Sequence, residues 1–95
     1  MKRYWFWTLS ASERKINPVE AKLIVGQNIR TNRKRLKLTQ EALAHRCGLH
    51  PVELGRAERG VRDLRVSTVV KIAHGLGVPA GELLEGVEYQ PPSQR

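Results

Sequence analysis

Several things are scarce in this chain of 95 residues, and each scarcity narrows what it can be. A single cysteine, Cys47, leaves no intramolecular disulfide and fits a reducing compartment such as the cytoplasm. Four of the five aromatic side chains (Tyr4, Trp5, Phe6 and Trp7) stand together near the N-terminus, so the core must come from Leu, Ile, Val and Ala. No apolar run is long enough to cross a bilayer, so no membrane role is expected. The YWFWTL stretch after Lys2-Arg3 is too short for a secretory signal, and no small-residue cleavage site follows it. No run alternates with period two over a useful length, which points away from sheet. No nucleophile stands beside a base and an orienting acid, and there is no glycine-rich phosphate loop, so an enzyme is not expected. His45, Cys47 and His50 do not make a metal set, because Cys47 shares the inner face of a helix, His45 points elsewhere and no fourth ligand is evident. Neither metal nor cofactor is implied.

Acids are scarce as well. Nine Asp and Glu face seventeen Lys and Arg, a formal charge of +8, which implies an anionic partner. The excess is concentrated: Arg30, Arg33, Lys34, Arg35 and Lys37 fall in one eight-residue window, RTNRKRLK, that holds no acid.

What is present reads as one small all-α domain. Residues 1–18 form an N-terminal arm, 19–86 the folded domain and 87–95 a loose C-terminal tail. Pro18 permits helix after it but not before it. Val25, Ile29, Arg33 and Leu36 then lie on one face of a first helix running to about Leu36. Thr39 is a good N-cap for a second helix, with Leu43, Ala44 and Cys47 inside and Gly48 as its left-handed end. His50 caps a third helix with Pro51 at its first position, ending at Gly60. Ser67 is expected to cap a fourth, whose apolar content is Val69, Val70, Ile72, Ala73 and Leu76, closed by Gly77. Pro79 opens a short fifth through Leu83 and Leu84.

The segment Gln40–Gly60, QEALAHRCGLHPVELGRAERG, has the spacing of two helices joined by a tight turn. Ala44 is the small residue where backbones approach, and Gly48 tolerates positive φ in the turn. On the third helix Leu54, Ala57 and Glu58 face inward. Val52, Gly55, Arg56 and Arg59 face outward, free to enter a major groove of double-stranded DNA. Arg33 is the odd member of the first helix's apolar stripe, and a buried arginine needs a partner.

LTQEALAHRCGLHPVELGRAERG resembles the lambda-repressor-like (Xre/Cro-type) helix-turn-helix family. So do RTNRKRLK before it and STVVKIAHGLGVPAGELLEG after it, over roughly residues 20–86. The resemblance implies a five-helix DNA-binding domain that regulates transcription, usually as a homodimer on a palindromic operator. It places base reading at Pro51, Val52 and Arg56, and phosphate contact at Gln40. It also joins Arg33 to Glu58 as a structural ion pair, in agreement with the periodicity. Pro51 and Val52 depart from the polar residues often found at the first reading positions, and neither side chain forms hydrogen bonds. Val52 is suited to a thymine methyl, Arg56 to guanine O6 and N7, and Glu53 to cytosine N4, with Gly55 allowing close approach. Further phosphate contacts are expected from Arg35, Lys37, Arg59, Arg62 and Arg65, and a dimer contact from Val78, Pro79, Leu83 and Leu84.

Two functions follow. The first is a stand-alone DNA-binding repressor controlled by its own concentration or a partner, since no second domain is present to sense a ligand. The second is a protein-interaction module that keeps the fold without sequence-specific DNA binding. The YWFW arm reads either as a contact for a protein partner or as an extension without a role.

Overall fold

The computed structural model describes residues 18–88; the aromatic arm and the chain from Tyr89 onward lie outside them. Four α-helices follow in order: α1 (Pro18–Arg35), α2 (Gln40–Cys47), α3 (Pro51–Arg59) and α4 (Val66–Leu76). A short 3-10 turn, Ala80–Leu84, completes the domain, and there is no strand among the described residues.

Local chemistry sets most helix ends. Thr39 Oγ1 accepts the Ala42 N–H at 3.0 Å. The N-terminus of α3 is a capping box. His50 Nδ1 accepts the Val52 N–H at 3.1 Å, and Glu53 Oε1 accepts the His50 N–H at 3.2 Å. Gly48 and Gly60 close α2 and α3 at φ 71° and 70°, where a side chain would be strained. The end of α1 has the same geometry without a glycine. The Leu38 N–H reaches Arg33 O at 3.2 Å and the Lys37 N–H reaches Lys34 O at 2.9 Å, with Lys37 in the left-handed region at φ 60°.

Four expectations require correction here. Ser67 is not a cap: α4 starts one residue before it, and Arg65 occupies the N-cap position with no side-chain hydrogen bond. Leu64 and Val69 both pack against the core, and that requirement outweighs the serine's capping preference. The fifth element is 3-10 rather than α. Ala80 and Leu83, three residues apart, both pack inward, and a three-residue turn puts them on one side. Leu83 is fully buried and so is unavailable for a dimer contact. The folded region also runs past Gly86, since the Val87 N–H bonds Leu84 O at 3.0 Å and its side chain packs on the core.

Ile29, Leu43, Leu54, Ile72 and Leu83 are the large, fully buried side chains, one or more from each element. Val25, Ala44, Cys47, Ala57, Ala73 and Leu76 fill the space between them. The tightest glycine contacts mark where helices cross. A Cβ on Gly26 of α1 would stand 2.5 Å from Glu58 O and 2.6 Å from Ala57 O. A Cβ on Gly75 of α4 would stand 2.5 Å from Cys47 Sγ. Burial there pushes the Cys47 thiol above its ordinary pKa, so it stays protonated and unreactive. The 3-10 turn is held on α1 by Asn28, whose Nδ2 donates to Leu83 O at 3.0 Å and to Glu85 O at 2.9 Å.

Across the α1–α3 crossing lies one ion pair. Arg33 Nε and Nη2 donate to Glu58 Oε2 and Oε1 at 2.6 and 3.0 Å, and Arg33 Nη1 donates to Leu38 O at 2.8 Å. The two side chains are 10% and 2% exposed. The hydrogen bond to Glu58 raises the guanidinium pKa further, so Arg33 stays charged.

Two predictions follow from this packing. Gly26→Ala should destabilise the domain by about 3 kcal/mol, the upper end for overpacking. Gly81→Ala, with nothing within 4 Å of the added methyl, should stay within about 0.5 kcal/mol of the parent. Urea unfolding midpoints compare the two, and equal midpoints would refute the close crossing. Arg33→Ala should cost about 3–5 kcal/mol by leaving Glu58 buried and unpaired, whereas Arg33→Met combined with Glu58→Met should recover much of that loss. Calorimetric melting of the single and double variants checks it.

Candidate nucleic-acid interface

α2 and α3 are joined by Gly48, Leu49 and His50. The Leu49 N–H bonds back to Ala44 O at 2.9 Å and its side chain packs on the core, which anchors the turn. α3 then presents two unlike sides. Leu54, Ala57 and Glu58 are buried, while Val52, Arg56 and Arg59 are exposed, Val52 by 51%. Pro51 lies half-buried at the start of the helix.

Two residues assigned to base reading are placed otherwise. Gly55 is buried rather than open: its missing Cβ would meet Arg59 Nη1 at 3.4 Å and Gln40 Oε1 at 3.5 Å, so these side chains cover it. The 100° step of the helix put it on the outer side, but α2 crosses close enough to roof that position. Glu53 is exposed, but Oε1 is engaged by the His50 N–H, so the carboxylate belongs first to the cap.

Gln40 also has an inward task. Its Nε2 donates to Glu58 Oε1 at 3.0 Å, so the side chain expected on phosphate joins α2 to the Arg33–Glu58 pair. The first N–H groups of α2 have no intrahelical partner, and Thr39 takes only that of Ala42.

The cations do not form one cluster. Arg62 and Arg65, in the loop between α3 and α4, line a polar hollow of about 360 Å³ together with Glu53, Asp63, Thr68 and Lys71. That hollow lies beside Gly48 and Leu49 of the turn, so these positive charges border the outward helix. Lys71 is its unforeseen member, the one lysine or arginine on α4. Arg35 is turned elsewhere, with Nη2 4.0 Å from Glu82 Oε2 in an exposed pair of little energetic weight. Arg46 donates to Gly75 O at 3.2 Å and ties α2 to α4. Arg59 and Lys37 are exposed.

No group of three or more metal-ligating side chains occurs among the described residues, and no helix there is long and apolar enough to cross a membrane. The arrangement offers an outward helix with an apolar and a cationic side chain, flanked by further cations. It suits the recognition of a polyanion with a groove.

Comparison with known proteins agrees with this geometry. The helix-turn-helix family HTH_3 matches residues 29–83, from the middle of α1 into the 3-10 turn. The chain is 35% identical over 65 residues to the control protein C.BamHI of Bacillus amyloliquefaciens, covering 67% of this chain and 80% of that protein. It is 35% identical over 66 residues to the control protein C.SmaI of Serratia marcescens, covering 70% and 79%. Among solved structures, the restriction-modification controller protein C.AhdI from Aeromonas hydrophila superposes with a TM-score of 0.64 at 34% identity, over 65% of this chain and 94% of that one. An outward helix, a cationic border and these relatives converge: the chain belongs to the Xre-type HTH_3 family of helix-turn-helix, DNA-binding transcriptional regulators, and is not an enzyme.

Proposed function

We propose that this regulator is a cytoplasmic repressor that binds a two-fold symmetric operator as a homodimer, with α3 of each copy in successive major grooves about 34 Å apart. The observation that carries the reading is the division of α3: Glu58 is locked inward by Arg33 and Gln40, while Val52 and Arg56 remain exposed. Arg56 pairs with guanine O6 and N7, and Val52 packs on a thymine methyl. Arg59, Arg62, Arg65 and Lys37 contact phosphates, joined by Lys71. The dimer contact falls on Val78, Pro79 and Leu84, of which Pro79 and Leu84 are exposed, without the buried Leu83. The name of C.AhdI, a restriction-modification controller protein, points to control of restriction-modification genes as the setting.

Arg56→Ala should weaken binding to the preferred operator by about 1–3 kcal/mol per half-site and relax the preference at one base pair in each. Unchanged affinity and preference would remove Arg56 from base reading. Arg62→Ala should instead weaken all sequences alike and lower the slope of log K against log salt by about one unit per subunit, about two for the dimer. Titrations at several salt concentrations, on operator and on random DNA, separate the two effects. Selection from random DNA tests the whole reading. A two-fold symmetric site supports it, whereas the absence of any enriched site favours a protein-interaction module built on the same fold.

A further inference from the structure

The N-terminal end of α3 poses a chemical problem for a groove-reading helix. Pro51 and Val52 carry no hydrogen-bonding side chain. Glu53 is engaged in the capping box, and Gly55 is both buried and without a side chain. The residue just before them differs. His50 is exposed at the N-cap, at the end of the helix that meets base edges in this mode of docking.

Its hydrogen bonds determine its chemistry. The Val52 N–H donates to His50 Nδ1 at 3.1 Å. A backbone amide cannot donate to a ring nitrogen that already carries a proton. Nδ1 is therefore the bare nitrogen, and the neutral ring holds its proton on Nε2. The His50 backbone is held in turn by Glu53 Oε1. The ring is thus fixed in tautomer, and its remaining polar group is an N–H donor with no acceptor among the described residues. Capping alone does not call for this residue: Ser, Thr, Asp or Asn satisfy the same amide, and histidine is not among the preferred caps. What the imidazole adds is a donor beyond the cap.

We propose that His50 is a specificity-determining residue whose Nε2–H donates to an acceptor on the major-groove edge of the bound DNA, N7 of a purine. It supplies the polar contact that Pro51 and Val52 lack. A pure donor pairs with N7 and is rejected by the amino groups of adenine and cytosine, so the contact discriminates rather than merely attaches. This inference rests on the DNA-reading function proposed above. Guanine O6, thymine O4 and a backbone phosphate oxygen accept hydrogen bonds in the same way, and insensitivity to a 7-deazapurine would overturn N7 in favour of one of them.

The test compares the full chain with His50→Ser and His50→Asn, both of which retain a cap on Val52. Unchanged melting temperatures establish that the fold survives. Selection from random DNA should give the parent a purine preference at one position per half-site that His50→Ser lacks, with affinity reduced about fivefold per half-site, the value of one net hydrogen bond, and so about 25-fold for the dimer on the selected site. Replacing that purine by its 7-deaza analogue should cost the parent the same factor and His50→Ser nothing more. In nitrogen-15 spectra the His50 proton should reside on Nε2 and shift when DNA binds. If His50→Ser keeps both affinity and preference, the assignment is wrong while the DNA-reading function stands. If a neutral methylphosphonate linkage, rather than the 7-deazapurine, abolishes the difference between parent and variant, the donor meets the backbone and base reading by His50 is overturned. If the parent enriches no site at all, the DNA-reading function fails together with this one.

Discussion

Arg33 reaches from the last turn of α1 to Glu58 on α3, and both oxygens of that carboxylate are occupied, one of them shared with Gln40 of α2. A third nitrogen of the same guanidinium holds Leu38 O in the link to α2. Three helices therefore meet at one carboxylate. An ion pair in such a place contributes little net stability, because desolvation offsets most of the attraction. Its effect is geometric: planar, bidentate bonding admits one relative placement of the helices. A helix pinned by its inner side is also oriented on its outer side, so the directions of Val52 and Arg56 depend on a contact neither residue touches.

The second constraint is the absence of atoms. Gly26 lets α3 lie against the backbone of α1, and Gly75 lets the Cys47 sulfur lie against α4. With only eleven buried apolar residues in the core among the described residues, the domain gains much of its cohesion from closeness rather than from bulk. The same closeness explains why a thiol so near the surface of a small protein is inert.

Features set by neighbours in the chain were legible in advance. Thr39, Gly48 and the His50–Pro51 start of α3 act through local backbone chemistry, and each stands where the pattern put it. The Arg33–Glu58 pair was legible because a charge on an apolar stripe demands a partner and the family resemblance joins that arginine to Glu58. Features set by the third dimension were not. Nothing near Gly26 in the chain announces that α3 will rest on it. Leu83 and Leu84 are the same residue type one step apart, and only the 3-10 turn decides which is inside. Gly55 falls under a neighbouring helix and Gln40 bonds Glu58 for one reason that the chain does not announce: helical periodicity gives each helix its faces but not the proximity of the next helix.

Lys37 remains the place where backbone and residue type disagree. A lysine held at φ 60° gives up about 1 kcal/mol or more that glycine would retain. Any effort to make this domain more heat-resistant would turn first to that position, and would thereby remove one cation from a chain whose formal charge is +8. Long-range attraction to a polyanion, and so the rate of encounter, scales with that charge. The hinge between α1 and α2 thus sets robustness against speed of arrival, and the residue in place sits on the side of speed.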